Sequence, residues 1–267
     1  MGRPVPRVPA VEHAPALAAP PAPAAWLTAL ADLLFPPFCP VCRDRLGPGR
    51  RDPLCGRCWD DLERIEGPVC RVCGTPLPRF PGAAGAEGGQ TCGACLARGS
   101  PLAYARSAAR YGDLVREAIH ALKFKGRRSM AAPLGDLLIE TAARHLAGRP
   151  VDLLLPVPLH RRRERERGFN QAELLARRVA TAWGVPVGRR VVIRRAATVP
   201  QTELTAPERW ANVRDAFALA RPEAIAGRHV VLVDDLVTTG ATARACARCL
   251  MRGGAASVGL LTVARVV

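Results

Sequence analysis

The stretch Val230-Val231-Leu232-Val233-Asp234-Asp235-Leu236-Val237-Thr238-Thr239-Gly240-Ala241-Thr242 decides how this chain is read. Four apolar residues between His229 and Asp234 have the composition of a short strand buried on both faces, the habit of a parallel sheet. The strand runs into two carboxylates, which are costly at the end of a buried strand unless they have work to do. The next residues are small and hydroxylated and include a glycine, and a helical pattern begins at about Ala241. That is the composition of a phosphate cradle, in which backbone N–H groups at a helix N-terminus and threonine hydroxyls face an anion. Carboxylates would repel that anion, so Asp234 and Asp235 are expected to face sugar hydroxyls or a bound cation on the same ligand. A Walker B strand also ends in two aspartates, but the chain has no G-x-x-x-x-G-K-[ST] loop to go with one. A calcium loop starting at Asp235 would have Val237, Thr239 and Cys246 where ligands belong. A plain core strand with a capped helix behind it would not need the acidic pair, hydroxyls and glycine in one register.

The segment resembles the thirteen-residue motif with which type I phosphoribosyltransferases hold PRPP, 5-phosphoribosyl 1-diphosphate. The resemblance implies that Asp234 and Asp235 contact the ribose 2- and 3-hydroxyls. It implies that Thr238, Thr239, Gly240, Ala241 and Thr242 wrap the 5-phosphate, with Mg²⁺ on ligand oxygens.

The 267 residues suffice for one mid-sized domain and a small one, and a hydrophobic content of 49% supports a core. No stretch is apolar enough to span a membrane. Residues 1–25 are Pro/Ala-rich, with prolines interrupting every apolar run, and read as a disordered tail rather than a signal peptide. Thirty-nine Lys+Arg against 23 Asp+Glu leave a formal charge of +16, carried almost wholly by arginine, since Lys123 and Lys125 are the only lysines. A PRPP site wants basic residues, but one small ligand does not use sixteen surplus charges. A single-stranded nucleic-acid surface or a generally basic solvated surface accounts for more of them. An aromatic content of 4% argues against a broad base-stacking platform.

Eight of the ten cysteines form four C-x-x-C pairs: Cys39/Cys42, Cys55/Cys58, Cys70/Cys73 and Cys92/Cys95. Each pair presents two thiolates to one tetrahedral ion, and two pairs complete a four-cysteine zinc site. Pairing in chain order makes two ribbons; pairing the first with the third and the second with the fourth also satisfies the spacing. The expectation is two structural zincs in a module over residues 26–100, led by a helix carrying Trp26, Leu27, Leu30, Leu33 and Leu34. Closed sites leave no open coordination position, so this module should not catalyse. Little apolar sequence lies between the knuckles, so the metal is expected to supply much of its folding energy. Cys246 and Cys249 have no further knuckle and read as buried small residues.

The remaining chain, 101–267, reads as an α/β domain with an open, mostly parallel sheet and flanking helices. Strands are expected at 103–110, 151–155, 191–193, 216–219, 230–233 and 258–263, and helices at 114–122 and 130–146. The first helix stops at Lys123-Phe124-Lys125-Gly126, cations followed by glycine. In an open parallel sheet ligands sit beyond the carboxyl ends of the strands, which puts the loop after Leu155 beside Asp234. That loop is Pro156-Val157-Pro158-Leu159-His160, followed by Arg161 to Arg167 and Gly168-Phe169-Asn170-Gln171. P-V-P-L-H followed by R-G-F-N-Q before a helix resembles the ComF family of competence-associated, phosphoribosyltransferase-like proteins. K-F-K-G and an R-x-x-T-x-x-Q-x-x-L-x-x-x-x-R-x-x-N-x-x-x-x-F pattern from Arg195 to Phe217 match it too, as does the cysteine-rich front. The resemblance puts the diphosphate at this loop, with Val157 and Pro158; Arg163 and Arg167 are the expected diphosphate contacts, because a guanidinium fork matches phosphate oxygens, and Arg167 is expected to join Asp234 and Asp235 as catalytic. It makes 196–213 a mobile hood carrying Thr198, Gln201, Arg209 and Asn212. It implies a cytoplasmic protein in natural transformation or DNA uptake, with competence-machinery proteins as possible partners. His160 beside a strand end reads as structural rather than as an acid–base group.

Overall fold

The computed structural model describes residues 37–46, 53–78, 90–195 and 216–267. The Pro/Ala-rich tail, the leading helix and the hood residues 196–213 lie outside the described residues.

In chain order the elements are α1 (Gly56–Asp60), α2 (Gly93–Arg98), β1 (Tyr104–Arg110), α3 (Asp113–Phe124), α4 (Ala131–Leu146), β2 (Leu153–Pro156), α5 (Arg161–Arg167), α6 (Gln171–Trp183), β3 (Val192–Arg194), β4 (Phe217–Leu219), β5 (His229–Val237), α7 (Ala241–Arg252) and β6 (Ser257–Arg265). Four strands form one parallel sheet in the order β1-β6-β5-β2, and β3 and β4 pair antiparallel in a separate two-stranded sheet. The central strands β5 and β6 carry the apolar runs 230–233 and 258–261, as strands covered on both faces do.

Alternation along β5 divides the core. Val231 and Val233 face a layer built from α3, α4 and α6, whereas Val230 and Leu232 face α7 and the β3–β4 pair. The strand does not stop at the acidic pair as its composition suggests. Strand β6 pairs with it as far as Val237, opposite Arg265, so both aspartates lie inside a hydrogen-bonded strand. Helix α7 contributes Ala243, Ala245, Cys246, Ala247, Cys249 and Leu250 to the core, which confirms the two last cysteines as buried small residues.

The cysteine-rich module is welded to the sheet rather than tethered to it. Strand β1 is an edge, and Glu63–Ile65 pair with it: Ile65 N donates to Ala108 O at 2.9 Å and Arg110 N to Glu63 O at 2.8 Å. An exposed edge is thereby covered. Gly74 sits at φ 73°, and a side chain there would collide with the Ala105 carbonyl. Leu46, Leu54 and Leu62 enter the same core cluster as α3, α4 and α6. The module is poor in apolar residues, as its sequence indicates, but these three are buried in the main core. Buried arginines complete the joint: Arg106 donates to Arg71 O at 3.2 Å, and Arg265 to Thr75 Oγ1 at 3.1 Å and to Cys73 O.

Candidate functional site

A cleft of about 360 Å³ opens beyond the carboxyl ends of β2 and β5. Its floor is Asp234 and Asp235. One end is Thr238 and Gly240 to Thr242, and the other is Val157 to His160 with Arg163 and Arg194.

The two aspartates have different surroundings because neighbouring strand residues point to opposite faces. Asp235 is only 2% exposed. Its carboxylate pairs with the Lys123 ammonium, near the end of α3, and accepts from Gln171 Nε2 at 2.9 Å, at the start of α6. Burial alone would raise the Asp235 pKa; Lys123 and Gln171 outweigh it and hold the group below the usual carboxylate range. Asp234 is half-buried on the cleft side, and its Oδ1 accepts from Asp235 N at 2.9 Å. Burial first, and the Asp235 charge second, push its pKa well above the ordinary value. The pair therefore holds one firmly ionised carboxylate and one that takes up a proton readily. That suits two neighbouring hydroxyls, one donating and one accepting.

Gly240 caps α7 with φ 75°, in the left-handed region where glycine is at home. Thr239 does not line the cleft, its Oγ1 accepting from Ala241 N at 3.3 Å, while Thr238 and Thr242 do. The first turn of α7 holds no acidic residue, so the helix presents its positive end to the cleft unopposed.

The opposite wall is set by Asn170. Its Nδ2 donates to Val157 O at 3.1 Å, and its Oδ1 accepts from Ala172 N at 2.9 Å, capping α6. One side chain thus ties the loop after β2 to the helix that carries Gln171. Val157 N–H is spent on Val233 O at 2.9 Å, so Val157 and Pro158 shape the wall rather than offer backbone donors. Arg163 reaches the cleft. Arg167 lies behind it, stacked on Phe124 at 5.0 Å, donating to Gln171 Oε1, with burial lowering its pKa. His160 is the N-cap of α5, its Nδ1 accepting from Arg162 N at 3.3 Å, in keeping with a structural role. Thr198, Gln201, Arg209 and Asn212 lie outside the described residues.

The eight paired cysteines gather in chain order into two clusters, Cys39/Cys42/Cys55/Cys58 and Cys70/Cys73/Cys92/Cys95, with the sulfurs of each within 4.8 Å of one another. The Cys42–Cys55 and Cys73–Cys92 sulfurs lie 3.5 and 3.7 Å apart. A zinc–sulfur bond of ~2.3 Å in a tetrahedron gives an edge of about 3.8 Å, so both clusters fit a structural zinc. Burial raises the Cys39 and Cys70 thiols, but backbone N–H groups outweigh it and bring them to about 7 and about 6, whereas burial holds Cys42, Cys58, Cys92 and Cys95 above the ordinary thiol value. Chain-order pairing resolves the choice that spacing left open.

Residues 30–96 match the double zinc ribbon domain, and residues 166–266 match the phosphoribosyl transferase domain. Competence protein ComFC of Bacillus subtilis is 29% identical over 80% of this chain and 85% of its own length, and competence protein F of Haemophilus influenzae is 28% identical over 85% and 96%. The DNA utilization protein YhgH of Salmonella typhi is 35% identical over 232 residues, 85% of this chain and 96% of that one. This chain belongs to the ComF family. Its fold is the phosphoribosyltransferase-like α/β fold behind a double zinc ribbon, as the motifs indicate.

Among the site residues of this ComF-family chain, Lys123, Gln171 and Arg194 were not singled out from sequence. Lys123 reads as an ordinary helix-stop cation, and only the packing of α3 against the sheet brings it to Asp235. Gln171 closes the R-G-F-N-Q motif, and its place directly after the helix-capping Asn170 is the signal that marks it. Arg194 had none. Among the described residues no helix is long and apolar enough to cross a membrane.

Proposed function

We propose that the cleft binds PRPP with Mg²⁺ and transfers its 5-phosphoribosyl group to an acceptor. The observation that carries this reading is the acidic pair between two anion-seeking ends: the α7 N-terminus with Thr238 and Thr242, and Arg163 with Arg194, in one cleft. Asp234 and Asp235 orient the ribose hydroxyls, with Lys123 and Gln171 fixing Asp235 so that the site is organised before ligand arrives. Thr238, Gly240, Ala241 and Thr242 anchor the 5-phosphate. Arg163 faces the diphosphate, and Arg167 acts through Gln171. Bound Mg²⁺ would neutralise diphosphate charge. As the acceptor forms its bond to C1, the C1–O bond breaks, the electron pair leaves with diphosphate and the acceptor's proton passes to solvent. No protein nucleophile is required.

The test is calorimetry with Mg²⁺ and PRPP, with a diphosphate-release assay beside it. Wild-type protein should bind, and Asp234→Ala/Asp235→Ala should not. Absence of wild-type binding, or binding indifferent to the double substitution, sinks the reading.

A second reading, PRPP- or nucleotide-linked handling of single-stranded DNA without turnover, draws on the +16 charge and the names of the relatives. It places the protein in the cytoplasm with the DNA-uptake machinery. Gel shifts across a salt series test it, because phosphate contacts make affinity fall steeply as salt rises; salt-independent retention would count against it.

A further inference from the structure

A second cavity of about 630 Å³ lies beside the first, within the range of small-molecule sites. The two share a wall of Pro158, Leu159 and Arg194, so a ligand in one touches the boundary of the other. Five arginines line it, Arg161, Arg165, Arg189, Arg190 and Arg194, against two carboxylates. One of those, Glu173, is committed to Arg177 at 2.6 Å and to Arg189 at 2.7 Å. Arg161, Arg165 and Arg190 are exposed and make no ion pair among the described residues, so the groove keeps a positive surplus.

The turn that supplies Arg189 and Arg190 is held rigidly. Leu154 N donates to Pro186 O at 3.0 Å and Gly188 N to Leu154 O at 2.9 Å, which adds this segment to the free edge of β2. A side chain at Gly188 would collide with Leu155. Arg190 then takes φ 55°, a left-handed conformation uncommon for non-glycine residues, and conformations of that kind cluster where side chains are aimed at ligands. Guanidinium groups present two donors in a plane, the geometry of a phosphate or carboxylate.

We propose that this groove is the subsite for an anionic group on the acceptor. The acceptor is a small molecule carrying a phosphomonoester or carboxylate, whose charge Arg165 and Arg190 hold while its reactive atom reaches past Arg194 into the PRPP cleft. The proposal rests on the phosphoribosyl-transfer reading.

The test uses zinc-loaded full-length protein with the cleft saturated by ribose 5-phosphate. Uridine 5-monophosphate, benzoate and uridine are titrated by calorimetry against wild type and Arg165→Gln/Arg190→Gln. At least one anionic probe should bind wild type more tightly than uridine, and the variant should lose about 10- to 100-fold of that affinity, as expected for charge-assisted hydrogen bonds. Tighter binding of the monophosphate assigns a phosphomonoester; tighter benzoate assigns a carboxylate. PRPP affinity should stay within about twofold in the variant, because neither residue lines the cleft. Equal binding of uridine and the anions, an unchanged variant, or response to oligonucleotides alone overturns the proposal. Failure of wild type to bind PRPP defeats the transfer reading instead, so the two failures are distinct.

Discussion

Replacing Lys123 with Met should destabilise the fold and make its stability depend on pH in a defined direction. The Lys123–Asp235 pair is removed from solvent: the side chains are 19% and 3% exposed. Breaking a buried pair by deleting one partner costs ~3–5 kcal/mol, because the remaining charge loses its compensation. For a chain of this size each kcal/mol lowers Tm by ~2–4 °C, so Lys123→Met should melt about 6–20 °C below wild type at neutral pH. In wild type the folded-state pKa of Asp235 lies below its unfolded value, so its contribution is fully present above that unfolded value and is lost only in acid. Without Lys123, burial dominates and the folded-state pKa rises. The variant then loses stability as pH increases between the unfolded and the raised folded pKa, at up to about 1.4 kcal/mol per pH unit. Lys123 also lowers the Asp234 pKa, so its loss raises that group further and adds to the difference in the same direction. The assay is thermal unfolding followed by circular dichroism from pH 6 to 8. Adding Asp235→Asn should recover most of the loss, since a neutral amide needs no cation. A gap under about 1 kcal/mol, one that narrows as pH rises, or failure of the second substitution to rescue would refute the reasoning.

Gly240→Val should weaken PRPP binding at least tenfold by calorimetry, because a β-branched residue at φ 75° reshapes the turn that opens α7; circular dichroism should show the fold retained. Cys70→Ser should lower bound zinc from two ions to one by elemental analysis. It should also lower Tm measurably, because Arg106 and Arg265 of the sheet are hydrogen-bonded to the second ribbon.

Much of this molecule is written locally. The acidic pair, the threonines and Gly240 fall within one strand–turn–helix unit, so spacing along the chain is also spacing in space. The C-x-x-C turns likewise identify themselves, since each knuckle is complete within four residues. What the chain could not disclose depends on contacts between distant segments. Lys123 and Gln171 are far from Asp235 in sequence, and only the stacking of α3 and α6 on one sheet face brings them together. The knuckle pairing is non-local too, being decided by which ends the folded ribbon brings close. Arg163 and Arg167 look alike in sequence, yet they sit one turn of α5 apart, and one reaches the cleft while the other packs on Phe124. The reach of β5 was set by its neighbour: hydrogen bonding to β6 as far as Arg265 carries the strand past two aspartates that their own composition would place at its end. Sequence by itself determined the strand–turn–helix unit with its acidic pair and the cysteines that fit zinc, because those rest on short-range order. Tertiary structure decided which charges face the cleft and which hold it together, because charge pairing and burial depend on what the rest of the chain packs against them.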